Sequence, residues 1–199
     1  MRLILAVLCS IAMAGPAAAD CRAEFADILR HSSSDGPFRI ESDEYRSFNP
    51  LAAGTEHRQA EIVPPDTADE DTTSTEAKHL GIKVRGDQVW LLNGSSWRMN
   101  TAARAAGFYA LIVEPVAMTD TPPASVECLG AGKQDGKDVV KYRFATTDDL
   151  PGSVSTAYVD RKTGLLVRID KSLLGVMNFS TTRVSYDPAL TLAPVRQPR

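Results

Sequence analysis

Three histidines and three cysteines are the natural starting points for chemistry in this chain of 199 residues. A zinc site draws its ligands from His, Cys and carboxylates set a few residues apart. His31, His57 and His79 are far from one another, and only Glu76, loosely placed before His79, offers a neighbouring ligand. A Ser-His-Asp triad is recognised by geometry rather than spacing, but the chain has neither a Gly-x-Ser-x-Gly elbow nor a Ser-x-x-Lys pair. Gly130-Ala131-Gly132-Lys133 resembles a phosphate cradle but lacks the hydroxyl residue after the lysine and the upstream glycine spacing. It reads instead as a strand entering an Asp135-Gly136 turn. Asn93-Gly94-Ser95 and Asn178-Phe179-Ser180 match the glycosylation sequon, but a turn and a strand account for them. The expectation is a non-enzymatic protein with no metal and no cofactor.

The cysteines carry a different chemistry. Arg2, an apolar run from Leu3 to Met13, a Gly15-Pro16 break and Ala17-Ala18-Ala19 follow the order of a cleavable secretory signal. The run is shorter than the roughly twenty residues a membrane span requires, so cleavage near Ala19-Asp20 is expected in place of a retained transmembrane anchor. Asp20 before Cys21 and Leu8 before Cys9 suit neither cysteine to lipid modification. Cys9 leaves with the signal. Cys21 and Cys128 remain in an oxidising compartment, periplasmic or extracellular, where a disulfide between them is expected and two buried free thiols are the alternative. Closing so long a loop contributes up to roughly 4 to 5 kcal/mol in the chain-entropy picture.

With 22 basic and 25 acidic residues in the whole chain, loss of Arg2 leaves a net charge of about −4. Such a surface has no electrostatic pull toward nucleic acid. The expected organisation is a signal over 1–19, a single domain over 20–192 and a frayed tail over 193–199, a monomer with one core. Asn49 to Gly54 and Pro64 to Thr75, the latter with Asp66, Asp69, Glu70 and Asp71, are poor in apolar residues; the second reads as a mobile loop.

Helical periodicity is confined to two stretches. Phe25, Ile28 and Leu29 form a stripe between Cys21 and His31. Phe108, Leu111 and Ile112 recur from Asn100 to about Val113, after which Pro115 is expected to end the helix. Elsewhere apolar residues alternate with period two: Ile82 and Val84, Val89 and Leu91, Val140, Tyr142 and Phe144, Leu165, Val167 and Ile169, Met177 and Phe179. The fold class is therefore α+β, a meandering antiparallel sheet.

Two-residue turns fix register and hence faces. A Gly86-Asp87 turn pairs Arg85 with Gln88, Val84 with Val89 and Ile82 with Leu91. An Asn93-Gly94 turn sets Trp90 opposite Trp97, on the face away from Val84. An Asp135-Gly136 turn pairs Ala131 with Val140, Leu129 with Tyr142 and Glu127 with Phe144, which puts Cys128 on the other face. Large apolar groups thus occur on both sides of some strands. Either a helix or loop packs on part of the second face, or twisted strands curl around a cavity plugged by Phe108 and Ile112.

Asp160-Arg161-Lys162-Thr163-Gly164-Leu165, Val167-Arg168-Ile169 and Tyr186-Asp187-Pro188, with Glu61-Ile62-Val63-Pro64-Pro65-Asp66 and Gly86-Asp87-Gln88-Val89-Trp90 upstream, resemble the periplasmic lipoprotein-carrier (LolA/LolB-like) family over about residues 22–190. The resemblance implies an unclosed β-barrel, its concave apolar side covered by an N-terminal and a central helix, that binds acyl chains or lipidated partners. Acidic Asp69-Glu70-Asp71 stands where those carriers have a basic, aromatic stretch, so lipoprotein is not singled out as cargo. The expected lining of the concave face is Ile82, Val84, Val89, Leu91, Tyr142, Phe144, Val167, Ile169 and Phe179, with Phe108 and Ile112 of the covering helix. The expected function is a periplasmic carrier or binding protein for a lipid, acyl chain or lipidated partner; the alternative is an interaction or sensor module with a filled core.

Overall fold

The computed structural model describes residues 17–45, 54–74, 79–101, 104–119, 122–146, 151–175 and 177–195. The expected signal run Leu3 to Met13, most of the Asn49 to Gly54 stretch and the last four residues of the tail lie outside them, as does Glu76. Helix α1 (Ala17–Ser34) is followed by β1 (Phe38–Tyr45), β2 (Thr55–Val63), β3 (Thr67–Ser74), β4 (His79–Arg85), β5 (Gln88–Asn93) and β6 (Ser96–Met99). Helix α2 (Ala105–Ala117) leads into β7 (Pro123–Gln134), β8 (Lys137–Thr146), β9 (Ser153–Asp160), β10 (Leu166–Leu173) and β11 (Met177–Tyr186).

All eleven strands join one antiparallel sheet in the order β6-β5-β4-β3-β2-β1-β11-β10-β9-β8-β7. Consecutive strands pair throughout except β6 and β7, and the pairing of β1 with β11 joins the two meanders. The sheet does not close, and β6 and β7 are its edges. This is the α+β, unclosed-barrel class expected. Helix α1 packs on β7, β10 and α2; α2 packs on β3, β4 and β5. Both helices therefore sit on one face of the sheet, and the core lies between.

That core holds α1 firmly. Phe25 stacks on Tyr142 and Phe144, with ring centroids 5.1 and 5.2 Å apart, within the favoured range for aromatic pairs. The buried Ser32 hydroxyl accepts the Leu166 N–H at 2.8 Å, and the Ser32 carbonyl accepts the Tyr186 hydroxyl at 3.0 Å. Burial pushes Tyr186 up to about 12, so it stays a donor. Tyr142 donates to Glu24 at 2.7 Å and is raised by burial and by that bond. Cys21 and Cys128 form the expected disulfide, their Cα atoms 5.7 Å apart.

Several expectations need correction. The Gly86-Asp87 hairpin has the expected register, but the β5-β6 turn is Gly94-Ser95, with Asn93 paired to Ser96. Glycine thus takes the first turn position, at φ +62°. Trp90 faces Met99 and Trp97 faces Leu92, so the tryptophans share a face as diagonal neighbours and are not directly opposite. In the β7-β8 hairpin Ala131 does face Val140, but a bulge at Leu129-Gly130 shifts the ladder by one residue, and Cys128 pairs with Tyr142. The bulge turns Cys128 onto the face covered by α1, where Cys21 waits.

Within the stretch expected as a mobile loop, Thr67–Ser74 is instead a central strand, and Thr75 lies outside the described residues. Its acidic residues are each matched from a neighbouring strand, Asp69 by Lys83 and Arg85, Glu70 by Arg58 and Asp71 by His79. Cross-strand neutralisation of this kind is invisible to local composition. In the tail, the Ala193 carbonyl is held by Arg85 at 2.9 Å. Nor does Pro115 end α2, which continues to Ala117. Proline deprives the Leu111 carbonyl of its intrahelical donor, and Arg58 donates to that carbonyl at 3.2 Å and to the Ile112 carbonyl at 3.0 Å.

Candidate functional site

The face beneath the helices changes character along its strands. Paired rows run Phe38 with Ile62, Ile40 with Ala60, Ser42 with Arg58 and Glu44 with Glu56. β11 parallels the change with Tyr186, Val184, Thr182 and Ser180. One end of the concave face is apolar and the other polar.

The apolar end is filled. Val84 and Ile112 are 0% exposed and Val89 is 1% exposed, packed with Phe25, Phe38, Ile62 and Val116. Ile82, Leu91 and Phe108 are partly buried against the same cluster. These six expected lining residues therefore build a core rather than border open space. Tyr142 lies on the same face, roofed by Phe25. Val167 is displaced: a bulge between Leu166 and Arg168 leaves it beside the outer-face groove described below.

The polar end is open. A cavity of about 470 Å³ lies between the sheet and the C-terminal half of α2, within the usual ligand-pocket range. Phe144, Ile169 and Phe179 border it, together with Leu111, Pro115 and Met118. Phe179 is the extra residue of a bulge opposite Lys171-Ser172, and interrupted alternation lets it border the cavity beside Ser180. Sequence reasoning missed the rest of the wall: Ser42, Glu44, Glu56, Arg58, Glu114, Lys171, Ser180 and Thr182. A usable signal existed. Stepping by two from Ile62 and Ala60 reaches Arg58 and Glu56; stepping from Phe38 and Ile40 reaches Ser42 and Glu44.

Arg58 sits at the seam between filled and open halves. Its guanidinium is 2.6 Å from Glu70, with side-chain exposures of 19% and 13%. Glu70 also accepts the Thr72 hydroxyl at 3.1 Å. At the end of α2, Glu114 accepts the Thr119 N–H and hydroxyl at 3.0 and 2.9 Å, which fixes its carboxylate near the cavity. This wall offers donors and acceptors beside aromatic and aliphatic surface, the make-up of a site for a molecule with a polar head and an apolar body.

A larger groove of about 720 Å³ lies on the opposite face, bordered by Arg39, Glu41, Glu61, Arg168 and Arg183. Its cations are engaged: Arg39 with Glu61 and Asp187, Arg168 with Asp170, Arg183 with Asp43. Its arginines are thus paired with carboxylates, beside an apolar patch of Leu165, Val167 and Val184. Of the histidines, His57 is 2.7 Å from Asp43 and His79 is 2.6 Å from Asp71, whereas the His31 ring meets the Asp27 carbonyl. Among the described residues no group of His, Cys, Asp and Glu has metal-site geometry, and no helix is long and apolar enough to cross a membrane.

No family model matches the sequence, and no curated protein does. Solved structures do match in fold. LprF from Mycobacterium bovis aligns with a TM-score of 0.55 at 9% identity, over 91% of this chain and 99% of that one. The Mycobacterium tuberculosis lipoprotein LppX aligns at 0.52 with 14% identity, over 84% and 94% of the two chains. At these identities the likeness is one of fold alone.

Proposed function

We propose that the protein is an extracytoplasmic binding protein or carrier for an amphiphile, with the acyl portion seated in the cavity between α2 and the polar end of the sheet. The observation that carries this reading is the contrast within one concave face. Six of the expected lining residues lie in or against the core away from the cavity, whereas Phe144 and Ile169, buried members of the same core, and the more exposed Phe179 form part of the cavity wall beside charged groups. The Cys21–Cys128 disulfide suits an oxidising compartment, as does the expected signal, and the fold is shared with LppX, itself a lipoprotein.

A lipidated protein partner fits the same cavity through its acyl chain. Lipid extracted from natively purified protein and analysed by mass spectrometry is expected to contain a bound acyl species. A fluorescent acyl probe is expected to bind at about micromolar Kd, and Phe179→Glu to weaken it by about tenfold or more. Phe179 is the residue of choice because Phe144 also supports Phe25 in the core. Absence of both co-purified lipid and probe binding favours the second reading, an interaction module whose fully buried Val84, Val89 and Ile112 mark a filled interior.

A further inference from the structure

Resting on the reading of this cavity as an amphiphile site, we propose that it admits one extended acyl chain, so that its ligand is a single-chain amphiphile, a fatty acid or lysolipid, and diacyl lipids are excluded. Three observations lead there.

The first is the shape of the floor. Five strands, β1, β2, β8, β10 and β11, each give the cavity wall two successive residues of the concave face, as Ser42 and Glu44 do on β1 and Phe144 and Thr146 on β8. One such step along a strand is about 7 Å. Across the strands the wall runs from β2 to β8, five strand spacings or about 24 Å. The cavity is thus a lane that crosses the strands beneath α2, much longer than it is wide. Neighbouring extended chains in a sheet lie about 5 Å apart, so two laid side by side need about 10 Å. The apolar side chains of the floor, Phe144, Ile169 and Phe179, stand on β8, β10 and β11, whereas β1 and β2 contribute polar ones. The tail of the ligand therefore lies over β8 to β11 and its head faces β1 and β2.

The second is that the lane has no room to widen toward the apolar end. The next inward-facing residues along β2, β1, β10 and β8 are Ala60, Ile40, Leu166 and Tyr142, none more than 2% exposed. Phe144, in the lane itself, packs on Phe25 with ring centroids 5.2 Å apart. The roof residues Pro115 and Met118 belong to α2, whose backbone Arg58 ties to the sheet. A second chain on that side would displace close-packed core.

The third is volume. At about 30 Å³ for each heavy atom, the share of one water in the liquid, a cavity of about 470 Å³ holds about 16 atoms. One chain of that length fills it, and two double the requirement.

Displacement of a fluorescent acyl probe from the folded, disulfide-bonded protein tests this, with lysophosphatidylcholines of graded chain length and dihexanoylphosphatidylcholine as competitors below their micelle concentrations. The dihexanoyl lipid and dodecanoyl lysophosphatidylcholine share a headgroup and a count of acyl carbons, and differ in whether those carbons form two chains or one. The single-chain lipid is expected to bind at least about tenfold more tightly. Along the graded series, affinity is expected to rise about fourfold per methylene and to level off at about fourteen to sixteen carbons. Phe179→Ala, at a wall residue outside the buried core, is expected to carry the rise on to longer chains. Equal or stronger displacement by the dihexanoyl lipid, displacement by neither lipid, a rise that continues to the octadecanoyl chain, or a plateau unmoved by Phe179→Ala overturns the single-chain inference and leaves the amphiphile reading standing. A probe that does not bind overturns both.

Discussion

Arg58 on β2 donates to the Leu111 carbonyl that Pro115 leaves without an intrahelical partner. One guanidinium thus bridges Glu70 of the sheet and the backbone of α2, and holds the helix over the filled half of the concave face. Arg58→Ala leaves a largely buried Glu70 carboxylate and the Leu111 carbonyl unmatched, and is expected to cost about 2 to 4 kcal/mol in urea denaturation. Arg58→Met combined with Glu70→Leu removes both charges and is expected to be milder than either single change.

The bulge that turns Cys128 toward Cys21 depends on Gly130, whose φ of +81° is strained for a side-chain-bearing residue. Nothing crowds a Cβ there, so the cost of Gly130→Val is backbone strain, about 1 to 2 kcal/mol. Slippage to a regular ladder turns Cys128 to the opposite face. Thiol titration after refolding is expected to find free thiols in this variant and none in the parent.

Reduction of the parent disulfide releases a crosslink spanning 107 residues. It also frees α1 from the edge strand β7. A loss of about 3 to 5 kcal/mol is expected, read as a lower melting temperature in reductant. The Cys21→Ser, Cys128→Ser double variant is expected to melt at that lower temperature with or without reductant.

On the outer face, the Asp43 carboxyl is held below its ordinary 3.8 chiefly by a hydrogen bond from His57, with burial opposing and Arg183 adding to the lowering. A depressed folded-state value stabilises the protein at pH above 3.8, and the contribution is lost as pH falls through that lower value. Asp43 is 45% exposed, so solvent screening limits the effect to a few tenths of a kcal/mol. Asp43→Asn is expected to lower stability slightly at neutral pH, and the difference from the parent is expected to shrink as the pH is taken below 3.8.

Gly81 is a different kind of glycine, required by a close approach. A Cβ there would stand 2.6 Å from Cη2 of Trp97 and 3.0 Å from Cβ of Leu92. Gly81→Ala is expected to push the Trp97 ring off its position beneath the Lys83 ammonium, now 4.7 Å from the ring centroid. A shift in tryptophan emission and a loss of about 1 kcal/mol are the expected readouts.

Local pattern alone determined the antiparallel meander, the two helices and the Gly86-Asp87 register, and made Cys21–Cys128 the expected pairing, because period-two alternation, turn residues and two cysteines outside the expected signal are legible in the sequence itself. The resemblance at Asp160 to Ile169 and Tyr186 to Pro188 pointed to an unclosed, curved sheet. Tertiary structure decided what happens where one residue is out of step. Bulges at Leu129-Gly130 and Val167 each reverse the face of a side chain that alternation had assigned, and a third at Phe179 leaves that ring at the cavity as an unpaired extra residue. A one-residue slip changes every face beyond it, and sequence periodicity has no term for an inserted residue. Likewise the acidic run of β3 looked unfoldable until Arg58, Lys83, Arg85 and His79 met it from other strands, and Pro115 looked terminal until Arg58 took over its missing donor. The division of the concave face into a filled and an open half follows from where α2 lies on the curved sheet, because contact between a helix and β3, β4 and β5 depends on chain positions far from its own.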